Sequence, residues 1–226
     1  AEDLKPNRLE AAKDVAAEFI NGRPNDNIGI TLFAGETFTQ CPLTVDHAVL
    51  LDMIHNIKCG LIEDGTAVGM GVANAVTRLK DSKAKSKVII LLTDGTNNKG
   101  DISPLTAAEI AKSFGIRVYT IGVGTNGMAP YPYPVGNTVQ YINMPVEIDE
   151  KTLTQIAGTT DGNYFRATSN SKLKEVYEEI DKLEKTKLNV KEYSKREEDY
   201  RWFALAAFLC VLLEVLLRNS ILKKIP

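Results

Sequence analysis

Two oxygen-bearing side chains stand beside apolar segments in the first half of the chain. Asp94 ends the segment Lys87-Val-Ile-Ile-Leu-Leu-Thr-Asp94, and Thr66 ends the motif Glu63-Asp-Gly-Thr66. Hydroxyl and carboxylate oxygens are hard ligands that suit Mg²⁺ or Mn²⁺. Each residue also has a structural interpretation, because threonine is a common helix N-cap and aspartate a common turn residue. The residue types alone leave a metal site and a structural role both open.

Two segments have the spacing of enzymatic motifs, but each lacks a required part. The GxGxxG spacing of Gly122–Gly127 is followed by Met128-Ala-Pro-Tyr-Pro, through which no helix can begin to receive a pyrophosphate. Asp94-Gly-Thr96 resembles the haloacid-dehalogenase phosphatases, whose nucleophilic Asp lies two residues earlier. Leu92 occupies that position, so covalent phosphoryl transfer has no nucleophile. The sequence predicts no catalytic residue, and a Mg²⁺-dependent phosphohydrolase is kept as the alternative function.

Composition and charge narrow the class of protein. The 226 residues are 44% hydrophobic and 25% charged, with a formal net charge of −2. This is ordinary globular composition, and it offers no global electrostatic reason to bind nucleic acid. Cys41, Cys59 and Cys210 lack the spacing of a zinc site. Cys41 and Cys59 can pair in an oxidising compartment, but two buried free thiols are the favoured interpretation.

Segments with strand character alternate with amphipathic helical segments, which is typical of a doubly wound α/β fold with a mostly parallel sheet. Strands are predicted over Asn27–Ala34, Glu36–Leu43, Lys87–Asp94, Ile116–Gly122 and Asn163–Ala167. Helices are predicted over Asn7–Asn21, Asp46–Lys58, Thr66–Lys80, Ser103–Gly115, Asp149–Ala157 and Ser171–Lys185.

The proline-rich segment Thr125–Pro145 is predicted to be a long irregular loop. It follows the carboxyl-terminal end of a strand, the side on which open α/β sheets bind ligands. A stiffened cover and a partner-contacting loop are both consistent with the pattern. In the second interpretation Tyr131, Tyr133 and Asn97 are the candidate partner-binding residues.

The carboxyl-terminal part is predicted to be a membrane anchor. Trp202–Leu217 is almost entirely apolar on all faces, and basic residues follow it. We therefore divide the chain into an α/β domain over 1–185, a charged linker over 186–201 and a transmembrane helix over 202–222. A buried terminal helix is the alternative.

The motifs around Thr66 and Asp94 resemble those of the von Willebrand factor A domain family. A closer similarity is to the membrane-bound Bat aerotolerance proteins, the BatA group in particular, and it extends over essentially the whole chain. Four further segments carry it: Pro6–Lys13, Phe38–Thr44, Asp81–Val88 and Met144–Asp149.

This resemblance implies a metal ion-dependent adhesion site with Thr66 and Asp94 as ligands of a divalent cation, most simply Mg²⁺. An acidic side chain of a protein partner would complete the coordination. It further implies a non-catalytic, membrane-anchored binding module of a bacterial stress or aerotolerance complex, with other Bat proteins and a MoxR-type AAA+ ATPase as partners. The implied location is the bacterial inner membrane with a periplasmic domain, although the flanking basic residues lean slightly the other way.

The chain departs from the family because no Asp-x-Ser-x-Ser motif occurs in it, and Ala1-Glu-Asp-Leu resembles the residues that follow that motif. We therefore expect a sheet that lacks its first central strand, with two metal ligands and no complete metal shell. The edges of Asn27–Ala34 and Lys87–Asp94 would then face a gap. Orphaned backbone groups cost about 1–3 kcal/mol each, so an unstable chain is expected unless these two strands pair.

Overall fold

The computed structural model describes residues 1–125, 127–135, 138–194 and 200–220. The chain divides into two compact units, Ala1–Glu184 and Lys185–Pro226. The strands are β1 (Ile28–Phe33), β2 (Thr37–Thr44), β3 (Val88–Thr93), β4 (Arg117–Val123), β5 (Gly127–Val135), β6 (Thr138–Val146) and β7 (Tyr164–Ala167). The helices are α1 (Arg8–Asn21), α2 (His47–His55), α3 (Val68–Leu79), α4 (Pro104–Ser113), α5 (Glu150–Thr159), α6 (Asn170–Ser194) and α7 (Tyr200–Ser220).

The central strands form two separate sheets. β3, β4 and β7 are parallel in the order β3-β4-β7, whereas β1 pairs antiparallel with β2. Among the described residues β1 and β3 do not pair with each other, although α3 contacts both. The α/β fold predicted from the sequence is confirmed, with the inner edges of β1 and β3 left open as expected.

Burial follows this arrangement. β4 lies between two partner strands and is buried along nearly its whole length, while β3 alternates between buried and half-buried residues. α3, α4 and α5 cover one face of the parallel sheet through a cluster around Val72, Ala107 and Ile156. α1 and α6 cover the other face around Val15 and Leu173. Helices therefore cover both faces of the parallel sheet, and the ends of its strands are left for a binding site.

The helix starts follow the local signals of the sequence. Asn7 Oδ1 accepts a hydrogen bond from the Glu10 amide at 2.9 Å, and Ser103 Oγ accepts one from the Thr106 amide at 3.1 Å. Asp149 caps α5 in the same way. These side chains satisfy amide groups that have no partner within the first turn of a helix.

The prediction of an irregular loop over 125–145 is wrong, because β5 and β6 form an antiparallel hairpin there. Prolines count against a strand because they cannot donate to its ladder. However, Pro130, Pro132 and Pro134 are two residues apart, so all three have the same orientation in the pair. The Pro130 carbonyl oxygen accepts a hydrogen bond from the Glu2 amide at 3.1 Å, on the side away from β6. Prolines at these positions remove no bond between the two strands.

The thiols differ from the sequence expectation in one respect. Cys41, Cys59 and Cys210 are free, but only Cys41 is buried among the three. Cys41 packs beneath α2 with Leu50 and Ile54, and burial raises the pKa of its thiol. Cys59 is exposed, so the prediction of two buried thiols is wrong for this residue.

The second unit is helical where the structure describes it. α6 continues to Ser194, through part of the segment interpreted as a linker, and α7 follows from Tyr200. The described apolar side chains of α7, among them Leu205, Phe208 and Val211, are exposed. Residues 221 and 222 of the anchor predicted over 202–222, and the side chain of Trp202, lie outside the described part. Within the described residues, no helix combines the length and the apolarity that crossing a bilayer requires.

Candidate functional site

The loop that carries Thr66 is fixed to the end of β1 by backbone hydrogen bonds. The Gly35 amide donates to the Glu63 carbonyl oxygen at 2.8 Å, and the Ala67 amide donates to the Ala34 carbonyl oxygen at 2.7 Å. The backbones approach so closely that a Cβ atom on Gly35 would lie 2.9 Å from the Glu63 oxygen. Thr66 is thus on a loop, between α2 and α3 in the chain, that is hydrogen-bonded to the end of β1.

The other side of this loop contacts the segment that follows β3. Asn98 Oδ1 accepts a hydrogen bond from the Thr66 amide at 2.8 Å, and the Asn98 amide donates to the Thr66 carbonyl oxygen at 3.0 Å. The Thr66 hydroxyl faces Gly95, where an added Cβ atom would lie 3.3 Å from Oγ1. Thr66 therefore lies at the carboxyl-terminal end of β3, beside the residue that follows Asp94.

Neither residue performs the structural role that its type allows. The N-cap of α3 is Ala67, with no capping side chain of its own, and the Gly69 amide donates instead to Asn97 Oδ1 at 3.4 Å. Thr66 is therefore not the helix cap. Asn97, a predicted partner-binding residue, uses its amide oxygen within the fold.

Likewise, Asp94 does not supply the side-chain hydrogen bond of the turn that follows β3. The Gly95 amide donates to Thr93 Oγ1 at 3.3 Å, so Thr93 supplies the local side-chain bond. The Asp94 side chain is 57% exposed, and its Oδ2 accepts a hydrogen bond from Arg8 Nη1 at 3.1 Å. An exposed carboxylate at a strand end is available to a ligand, but it already has one cationic neighbour.

Arg8 and Asp3 are functional candidates that the sequence pattern did not reveal. Arg8 donates from Nε and Nη2 to the two carboxylate oxygens of Asp3, both at 2.7 Å. The Thr125 amide and hydroxyl also donate to Asp3, at 2.8 and 3.1 Å. Burial raises the pKa of Asp3, but the hydrogen bonds from Arg8 and Thr125 and the Arg8 charge outweigh it and hold this pKa far below its ordinary value. The carboxylate therefore stays ionised under ordinary conditions.

The hairpin borders the same edge of the sheet. The hairpin begins two residues after Thr125. The Pro130 carbonyl oxygen accepts a hydrogen bond from the amide of Glu2, the residue before Asp3. Tyr131 is 48% exposed, so this predicted partner-binding residue presents its ring to solvent. Tyr133 is in the same strand, and its side chain lies outside the described part of the structure.

The residues present suit a hard divalent cation in an open shell. Thr66 offers a hydroxyl oxygen and Asp94 a carboxylate oxygen, and neither is consumed by a cap or a turn. In the described ranges, no three Asp, Glu, His or Cys residues cluster as they would in a closed metal cage. Mg²⁺ accepts few protein ligands because it retains several waters, so two oxygens match an exchangeable site.

The chain combines a parallel α/β sheet with a threonine loop and an aspartate loop at the carboxyl-terminal end of β3. The chain belongs to the von Willebrand factor type A domain family, whose characteristic sequence matches residues 2–179.

Solved structures place it near the aerotolerance proteins within this family. It is 33% identical to BatB from Bacteroides thetaiotaomicron, with a TM-score of 0.70 over 82% of this chain and 92% of that one. It is 30% identical to an aerotolerance-related membrane protein from Bacteroides fragilis, with a TM-score of 0.70, covering 80% of this chain and 90% of that one. The Bat resemblance is confirmed, and the comparisons do not single out the BatA group.

A more distant structure carries a metal. Proximal thread matrix protein 1 from mussel byssus, described with a zinc-occupied MIDAS motif, is 25% identical with a TM-score of 0.61, covering 79% of this chain and 41% of that one. Among curated relatives, a protein from Borreliella burgdorferi is 26% identical over 97% of this chain and 64% of its own length. A UPF0353 protein from Nocardia farcinica is 30% identical over 80% of this chain and 58% of its own. The chain spans less than two thirds of the length of these relatives.

Proposed function

We propose that this chain is a non-catalytic, metal-dependent protein-binding module. Thr66 and Asp94 hold a divalent cation, most simply Mg²⁺, and an acidic side chain of a partner completes its coordination. The observation that carries the proposal is the position of the Thr66 hydroxyl beside Gly95, the residue after Asp94, at the carboxyl-terminal end of β3. When bound, the cation supplies a positive centre that attracts a carboxylate.

The chain's own residues prepare this centre. Asn98 and the backbone of Gly35 hold the Thr66 loop in place, so the hydroxyl needs little ordering when the cation binds. Tyr131 lies on the hairpin at the same edge and offers an exposed aromatic surface to a partner. The site therefore combines a charged centre with an aromatic border.

The cellular setting is the less direct part of the proposal. The similarity to aerotolerance-related membrane proteins supports a membrane-associated complex of a bacterial stress response with other Bat proteins. We propose a MoxR-type AAA+ ATPase as a further partner. The apolar, exposed side chains of α7 are suited to contact lipid and support association with a membrane. We place the α/β domain in the periplasm.

Calorimetric titration of the full chain with Mg²⁺ tests the metal site. Thr66→Ala and Asp94→Asn are each expected to weaken Mg²⁺ binding by at least about 10-fold. Thr154→Ala and Asp52→Asn, which change an exposed threonine on α5 and an exposed aspartate on α2, serve as matched controls. Equal Mg²⁺ affinity in the wild type and Asp94→Asn would contradict the proposal.

Capture of partners from solubilised membranes tests the binding role. A partner is expected to be retained in Mg²⁺, released by a chelator and lost with Thr66→Ala. The phosphohydrolase alternative predicts instead that phosphate-ester turnover is present in the wild type and abolished in Asp94→Asn. Leu92, at the position of the phosphatase nucleophile, argues against that outcome.

A further inference from the structure

Arg8 joins two carboxylates that differ strongly in burial. Its Nε and Nη2 donate to Asp3, whose side chain is 5% exposed, and its Nη1 donates to Asp94, whose side chain is 57% exposed. The Arg8 side chain itself is 9% exposed. The guanidinium is therefore part of the protein interior on one side and of the candidate metal site on the other.

The backbone around Arg8 is shaped to receive it. Gly124 has φ +121°, and a Cβ atom there would lie 2.4 Å from Arg8 Nη2. The next residue, Thr125, fixes Asp3 with its amide and its hydroxyl. Arg8 makes a bidentate contact with a carboxylate and packs against the backbone of Gly124, so it is not a mobile surface side chain. Its charge stays beside Asp94.

We infer that Arg8 is a positioning residue that fixes Asp94 and sets the affinity of the site for a divalent cation, with Asp3 as the residue that limits its effect. This inference rests on the proposed function. Arg8 engages Oδ2 of Asp94 and leaves the exposed carboxylate with one oxygen for a cation. The guanidinium repels that cation, and the negative charge of Asp3 partly cancels the repulsion.

The consequence is a site that binds a cation weakly on its own. Asp3, Arg8 and Asp94 together carry one net negative charge, which is small for a divalent ion. A partner's carboxylate adds the missing charge. An acidic partner is therefore expected to tighten the binding of the cation.

A charge series in the full chain, titrated with Mg²⁺ by calorimetry, tests this inference. Arg8→Gln is expected to bind Mg²⁺ about 10-fold more tightly, and Asp3→Asn about 10-fold more weakly. The double variant Asp3→Asn/Arg8→Gln should remain within about threefold of the wild type, because both charges are removed together. Arg8→Lys keeps the charge, so it should retain the wild-type affinity even though it loses the bidentate contact and some thermal stability.

Arg23 provides a matched control. It pairs with Asp26 and Asp181 at 2.7 and 2.6 Å, beyond the opposite end of α1. Arg23→Gln therefore removes a similar ion pair without changing the charge at Asp94, and Mg²⁺ affinity should not change.

Each result separates a charge effect from a structural one. If Arg8→Gln and the double variant both bind Mg²⁺ more weakly, in proportion to lost thermal stability, Arg8 is only structural and the inference is overturned. If the wild type binds Mg²⁺ and the series is flat, the inference fails and the proposed function stands. If neither the wild type nor Arg8→Gln binds Mg²⁺, both fail.

Discussion

Thr66 and Asn98 exchange two hydrogen bonds, one from the Thr66 amide to the Asn98 side chain and one from the Asn98 amide to the Thr66 carbonyl oxygen. This reciprocal pair joins the loop before α3 to the segment after β3. This contact holds the hydroxyl of Thr66 at the end of β3, which Asp94 follows directly.

Removing the side-chain half of this pair should loosen the site more than it destabilises the fold. Asn98→Ala is expected to lower the free energy of unfolding by about 1 kcal/mol, because one hydrogen bond is lost at an exposed position. Mg²⁺ binding should weaken as well, because the Thr66 loop must then be ordered by the cation. Urea denaturation and Mg²⁺ titration of the same variant measure the two effects. A loss of stability with unchanged Mg²⁺ affinity would show that the pair does not position Thr66.

Gly124 should tolerate no side chain because of Arg8. Gly124→Ala places a Cβ atom in the guanidinium at a backbone conformation that L-residues rarely adopt. We expect a loss of about 2–4 kcal/mol in the free energy of unfolding, measured by urea denaturation. Gly115→Ala is the control, since Gly115 has φ +64° but nothing within 4 Å of the added atom, and it should cost about 1–2 kcal/mol. Equal costs at the two glycines would mean that Arg8 can move away freely.

A second buried acid should govern stability at low pH. Glu184 accepts hydrogen bonds from Tyr119 Oη at 2.6 Å and Ser86 Oγ at 2.8 Å, and it pairs with Arg117. Burial raises the pKa of Glu184, but these three partners outweigh it and hold the pKa below its ordinary value of 4.5. The ionised carboxylate therefore stabilises the fold above about pH 4.5, and this contribution is lost as the pH falls further.

The substitution Glu184→Gln should remove this dependence of the folding stability on pH. We expect it to cost about 3 kcal/mol at pH 7, because Arg117 is left without its counter-charge, and to cost progressively less below pH 4. Urea denaturation between pH 7 and pH 3 measures the difference. Glu18→Gln, which removes the exposed partner of Lys174, is the control and should leave stability nearly unchanged. A constant difference between wild type and Glu184→Gln across this range would contradict the assignment.

The sequence predicted the elements whose signals are local. Asn7 and Ser103 cap their helices through atoms three residues away, and the apolar segment before Asp94 forms a strand without any distant information. Thr66 and Asp94 were predicted from residue type and family resemblance, and the fold places the Thr66 hydroxyl beside the residue after Asp94.

The parts that the sequence did not predict depend on tertiary contacts. Arg8 and Asp94 are 86 residues apart, and nothing in the pattern around Pro6–Lys13 indicates that a helix-start arginine reaches a strand end. The hairpin was missed for a different reason. Proline frequency argues against a strand. The two-residue spacing of Pro130 and Pro132 is visible in the sequence, but that both face away from the partner strand becomes clear only when that strand is known.

The open edge of β3 should be visible in hydrogen exchange. The Arg117 amide donates to the Lys87 carbonyl oxygen at 3.0 Å, so residue 87 directs its backbone groups toward β4. Because this direction alternates along a parallel strand, Ile89 and Leu91 share it, and Ile90 and Leu92 point their amides toward the unpaired side.

Exchange followed by nuclear magnetic resonance compares these neighbours within one strand. The amides of Ile90 and Leu92 should exchange at least about 10-fold faster than those of Ile89 and Leu91, because none of the described strands bonds to them on the open side. β4 provides the internal control, since β3 and β7 flank it and its amides should be uniformly protected from Thr120 to Val123. Equal protection of the two sets in β3 would mean that another segment pairs with this edge in solution, and the gap between β1 and β3 would then not describe the folded chain.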